Sequence, residues 1–99
     1  MPHWLLTYDL APDYLARRGD YRDAHLRLAW EASAAGDLVL GGAVGDPIES
    51  ALLLFTAAHA ARAFAEADPY VTNGIVTGWR VLPWSTVVDT TASNPVRPA

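Results

Sequence analysis

The chain contains no cysteine and no lysine; all seven of its basic residues are arginine. Without cysteine there is no thiolate nucleophile, no disulfide, no thiolate metal site and no iron–sulfur cluster. Without lysine there is no side-chain Schiff base and no phosphate-loop lysine. A formal charge of −4 with no basic cluster leaves out the electrostatic footprint of a nucleic-acid binder. No apolar run is long enough to span a bilayer. Met1-Pro2-His3-Trp4 carries no positive leader ahead of an apolar stretch, so the expectation is a cytoplasmic protein. Chemistry in this chain falls to His, Asp, Glu, Tyr, Ser, Thr and Arg.

What is present is a hydrophobic fraction of 52% in only 99 residues, enough for one domain with a modest core. Period-two alternation predicts a strand over His3 to Leu10, with Trp4, Leu6 and Tyr8 on one face and His3, Leu5, Thr7 and Asp9 on the other. A polar loop over residues 11 to 19, with room for a turn of helix inside it, leads to a helix with Asp20 as N-cap, ending near Gly36. Strands are expected over Asp37 to Gly45 and Ser50 to Phe55, joined by the turn Gly45-Asp46-Pro47. Thr56 is expected to cap a helix running to Ala67, and a last strand to run from about Gly74 to Leu82, closed by Pro83-Trp84. Residues 1–88 form the expected domain, and 89–99 a flexible or draped tail.

The order β-α-β-β-α-β is the ferredoxin-like α+β arrangement, whose helices cover one face of the sheet. Ala51-Leu52-Leu53-Leu54-Phe55 is apolar at every position, without the alternation of a strand that meets water on one side. The bare face is therefore expected to pack on a second copy, giving a homodimer.

Two segments carry the candidate chemistry. Pro69 ends the second helix at Asp68. A carboxylate there faces the negative end of the helix dipole and calls for a cation or donor. His25 lies on the apolar stripe of the first helix with Tyr21, Leu28 and Ala32, opposite the solvated Asp23, Arg27 and Glu31. A histidine on such a stripe is more often a core residue with one hydrogen bond, and Asp-Pro is common turn chemistry. Each nevertheless supplies what the other needs, and a His25–Asp68 pair is expected. Arg22, one turn before His25, suits an anionic group. Tyr8 and Asp9 end the first strand next to the same region, though adjacent strand residues point oppositely and at most one is expected to reach a pocket. Tyr70 is a candidate pocket wall. The scattered histidines lack ligand spacing, so no metal is expected. Gly41-Gly42 lacks the GK[ST] ending of a phosphate loop and reads as an easing of close strand contact.

In order along the chain, Tyr8-Asp9, Arg22-x-x-His25-Leu26, Gly41-Gly42, Phe64, Asp68-Pro69-Tyr70-Val71, Gly74-Ile75-Val76, Trp79-Arg80-Val81 and Pro83-Trp84 resemble the YciI-like (YCII-related) family. The resemblance implies a dimeric α+β barrel and an active-site pair mapping onto His25 and Asp68. A branch of that family resembles a dehydrochlorinase of chlorinated hydroxyhydroquinones, which implies that cofactor-free lyase chemistry suits the scaffold. The expected function is a small-molecule lyase or isomerase, with catalytic His25 and Asp68 and substrate-binding Arg22, Tyr8, Asp9 and Tyr70. The rival readings are a non-catalytic ligand-binding or accessory dimer and, less favoured, a cofactor-independent monooxygenase on a related barrel.

Overall fold

The alternation at the start of the chain becomes β1, His3–Leu10, in a computed structural model that describes all 99 residues. It is followed by α1 (Tyr14–Ala34), β2 (Leu38–Val44), β3 (Ser50–Phe55), α2 (Ala58–Ala67), α3 (Pro69–Thr72) and β4 (Val76–Trp84). The strands form one antiparallel sheet in the order β2-β3-β1-β4, as in a ferredoxin-like fold. Leu6 and Tyr8 of β1 and Leu53 and Phe55 of β3 point to the helix-covered face and are buried. Fully burying side chains such as Leu6, Phe55 and Ile75 contributes roughly 1.5–3 kcal/mol each.

The two main helices meet the sheet differently. In α2 the i, i+3, i+4 set Ala61, Phe64 and Ala65 is buried, a close-packed contact made by small side chains around one ring. Along the 21 residues of α1 only Tyr14 is buried. Tyr21, Leu28, Ala29 and Ala32 touch the core without being sealed in it. Helix α1 therefore stands off the sheet, and that gap positions the site. No helix is long and apolar enough to cross a membrane.

Several local expectations need correction. Asp20 caps nothing: α1 begins at Tyr14, so residues 14–19, expected in a loop, are helical. The burial of Tyr14, edge-on to the Tyr70 ring at 5.7 Å, anchors that first turn. It outweighs the roughly 1 kcal/mol cost of a helical Gly19. Thr56 does not cap α2; its hydroxyl donates instead to the Gly36 carbonyl at 3.3 Å. The last strand runs on through Pro83, which pairs with Trp4. β4 is an edge strand, where a proline without an N–H is tolerated. Gly45, at φ +99°, makes the expected turn before Pro47, and a Cβ there would lie 2.8 Å from the Pro47 carbonyl oxygen. Beyond β4, Thr86 holds the chain's end near β1: its hydroxyl lies 2.6 Å from His3 Nδ1 and 2.7 Å from the Ser93 amide.

Candidate active site

Asp68 sits where α2 ends and α3 begins. Its backbone is extended (φ −65°, ψ 122°), as the following proline requires. With Pro69 in the first turn, Asp68 acts as the N-cap of α3, accepting the Tyr70 amide on Oδ1 at 3.0 Å. The sequence puts this carboxylate at the C-terminus of α2, with turn hydrogen bonds as the ordinary alternative; the one-turn α3 supplies such a bond from its own backbone. Asp68 is completely buried. The Tyr8 hydroxyl donates to Oδ2 at 2.7 Å, and His25 Nδ1 lies 2.9 Å from both carboxylate oxygens. A buried carboxylate held by three donors is fully engaged. Burial, followed by the Asp68 charge and hydrogen bond, pushes the Tyr8 phenol far above its ordinary pKa, so it stays a donor.

His25 reaches this carboxylate from α1. Its ring stacks on Tyr70 with centroids 3.9 Å apart and planes 8° apart, and meets Phe64 edge-on at 6.0 Å. With an acceptor facing Nδ1, that nitrogen carries the proton in the neutral tautomer, which leaves Nε2 with its lone pair. Nε2 makes no hydrogen bond within the protein, yet it is not a sealed, unpartnered atom. His25 lines a cavity of about 440 Å³ between α1 and the β2–β3 side of the sheet.

The cavity follows from small residues facing a helix that stands away. On the helix-covered face of β2 and β3 the chain places Gly41, Ala43 and Ala51, with Leu53 behind them. From α1, the face of Arg18, Arg22, His25, Ala29 and Ser33 completes the wall, and Leu26 and the exposed Trp30 add apolar surface. Tyr70 closes one end. Burial, with Tyr14 adding to it, raises the Tyr70 phenol, while the Arg22 and Arg18 guanidiniums oppose the rise. Its hydroxyl is buried beside the Arg22 guanidinium, which can donate to it, and finds no acceptor for its own proton.

Of the residues singled out in the sequence, His25, Asp68, Tyr8 and Tyr70 come together, and Arg22 joins them in the cavity wall. Tyr8 arrives behind Asp68, with its hydroxyl spent on the carboxylate. Asp9 is not brought in: it is exposed on the opposite face of the sheet, across from Gly78. Arg18 was not singled out, although its spacing of four from Arg22 puts both on one helical face. No three His, Cys, Asp or Glu side chains converge as metal ligands.

With this geometry in view, the profile of the YCII-related domain matches residues 1–85. No curated protein matches the chain. Among solved structures, the fold is similar to 5-chloro-2-hydroxyhydroquinone dehydrochlorinase (TftG) from Burkholderia phenoliruptrix AC1100 in complex with 2,5-dihydroxybenzoquinone. The TM-score is 0.70 at 22% identity, over 85% of this chain and 94% of that one, a likeness of fold.

Proposed function

Since the chain belongs to the YCII-related domain family, we propose that it is a cofactor-independent small-molecule enzyme of the lyase or isomerase type. His25 is its general acid and base, and Asp68 the group that orients it. The observation that carries this reading is the division of labour in one imidazole. Nδ1 is anchored 2.9 Å from a buried carboxylate, and Nε2 is left without a protein partner on a residue that lines a cavity. An imidazole so fixed accepts a proton from an acidic O–H or C–H of the substrate through Nε2. Asp68 stabilises the resulting imidazolium, and the same nitrogen returns the proton to the departing or rearranged group. Such transfer contributes typically about 10²–10⁴-fold.

The fold likeness to a dehydrochlorinase supports elimination as the first reaction to assay, with 5-chloro-2-hydroxyhydroquinone as the probe and chloride release as the readout. The expected result is turnover by the native chain and a loss of at least about 10²-fold in His25→Ala with the fold retained. Unchanged turnover in that variant overturns the reading.

The proposed working unit is a homodimer built on the bare sheet face. Leu40, Val44, Leu52 and Leu82 are exposed there, Leu40 by 72%. An apolar face of this kind supports pairing with a second copy, sheet to sheet.

A further inference from the structure

Three features of the cavity wall are not used by acid–base chemistry at His25. The first is its charge. The chain has 11 acidic residues against seven arginines, yet Arg18 and Arg22 line the cavity and no Asp or Glu does. The second is that neither guanidinium has a carboxylate partner. The ion pair of the protein is Arg17–Asp13, and Asp68 is taken up by His25, Tyr8 and the Tyr70 amide. Two like charges at i, i+4 repel one another and weaken a helix when nothing sits between them. Arg18 is nevertheless held in place, its guanidinium 5.8 Å from the Tyr14 ring centroid. The third is the Tyr70 hydroxyl, on a residue 3% exposed: the Arg22 guanidinium beside it can donate to its oxygen, but its own proton has no acceptor in the protein. A buried donor left without an acceptor in an otherwise satisfied protein marks a place where something else binds.

Together these features define the ligand. We propose that the cavity takes a single-ring compound bearing an anionic oxygen group, held by Arg18, Arg22 and the Tyr70 hydroxyl, with its ring beside His25 Nε2. Guanidinium groups recognise carboxylate and enolate oxygens through charge-assisted hydrogen bonds. The rest of the wall suits a flat apolar body: Leu26, Ala29, Leu38 and Leu53 line it, and Trp30 stands at the mouth. The volume, about 440 Å³, lies in the lower part of the usual range for small-molecule sites. Rings of this kind with acidic oxygens also have protons that a histidine can remove. The substrate class therefore deepens the acid–base reading, on which it rests for what happens at Nε2.

The test uses the full chain and a matched pair of probes, 2,5-dihydroxybenzoate and its neutral amide, with affinities measured by calorimetry. The acid is expected to bind at least roughly ten-fold more tightly than the amide, with a preference that weakens as salt rises. Arg18→Gln and Arg22→Gln should each reduce acid affinity several-fold and leave amide affinity unchanged, and the double variant should erase the preference. Arg22→Lys should recover part of it. Arg27→Gln, on the exposed face of the same helix, should change neither. Tyr70→Phe keeps the ring that stacks on His25 and should weaken acid binding several-fold, because it removes a buried proton that only a ligand can accept.

Equal affinity for acid and amide, acid affinity unmoved by the arginine substitutions, or binding of neither probe overturns the proposal. His25→Asn separates it from the catalytic reading. Retained acid preference with turnover unaffected by that variant sinks the catalysis and keeps the anion site. Turnover that depends on His25 but ignores ligand charge does the reverse.

Discussion

The imidazole of His25 lies flat on the phenol ring of Tyr70, at 3.9 Å between centroids, while both residues hydrogen-bond to the same carboxylate. Tyr70 does so through its backbone amide, and His25 through Nδ1. The capping of α3 and the orientation of His25 are thus one arrangement, centred on Asp68. Four elements converge on it: β1 through Tyr8, α1 through His25, the end of α2, and the first turn of α3.

Asp68→Asn is the direct test of that convergence. The amide keeps the volume but turns an N–H₂ group toward one of three donors, leaving buried donors face to face. Leaving a buried donor unsatisfied costs about 1–3 kcal/mol, more where the partner was charged, and the loss is expected near the upper end of that range. It should appear as a lower urea midpoint with an unchanged m-value. Any turnover attributable to His25 should fall with it, because Nδ1 no longer meets a pure acceptor.

The hydrogen bond also fixes the tautomer. Nitrogen-15 NMR of the His25 ring is expected to show a protonated Nδ1 and an unprotonated Nε2 in the neutral imidazole. In Asp68→Asn the two forms should mix. A neutral His25 carrying its proton on Nε2 in the native chain contradicts the geometry described above.

Tyr8 gives the pH dependence its sign. Its phenol is raised, first by burial and then by Asp68, so folding favours the neutral form. A raised pKa contributes stability that is complete below the ordinary tyrosine value of 10.0 and is lost as pH climbs beyond it. Each such buried tyrosine adds about 1.4 kcal/mol per pH unit to the alkaline fall. Tyr70 is raised in the same direction, with the arginines opposing. Tyr8→Phe should be about 1–1.5 kcal/mol less stable at neutral pH, having lost one hydrogen bond. It should fall less steeply than the native chain above the ordinary tyrosine pKa. Urea titrations at a series of alkaline pH values give both slopes.

Much of the fold was legible because its strands advertise themselves. His3–Leu10 alternates and Ser50–Phe55 is apolar at every position after Ser50, and both were bounded as found. The family motifs were legible in order, and the profile match over residues 1–85 bears them out. The long start of α1 was hidden because Arg17, Arg18 and Gly19 look like a loop, and only the docking of Tyr14 on Tyr70 shows otherwise. Helix α3 had a readable signal, an Asp cap before a Pro, but was taken for a simple stop. A pocket beside the pair was an expectation, but what opens it was not legible. It is made by what Gly41, Ala43 and Ala51 leave unfilled, and these residues look innocuous until a helix is laid opposite them.

The bare sheet face predicts an oligomer that one charge should break. Leu52 and Leu82 both point away from the helices, Leu52 from a central strand and Leu82 from an edge. The native chain is expected to sediment as a dimer. Leu52→Asp places a charge on the apolar face and should yield a monomer while preserving the helical circular dichroism. A native monomer at micromolar concentration argues against the pairing.

Filling the hollow separates the cavity from the core around it. Ala43 lies on the cavity wall, is itself exposed, and pairs with Ala51 across β2 and β3. A leucine there has space to enter, so the strain of about 1–3 kcal/mol that overpacking brings to a dense core does not apply. Ala43→Leu should therefore melt within a few degrees of the native chain. It should bind a single-ring acid at least roughly ten-fold more weakly, because its side chain occupies the volume the ring needs. Ala63→Leu, on the exposed side of α2, adds the same atoms elsewhere and should leave binding unchanged. If Ala43→Leu binds and turns over ligand like the native chain, the hollow beside His25 is not where the ligand sits. The Nε2 atom would then have to be reached by another route.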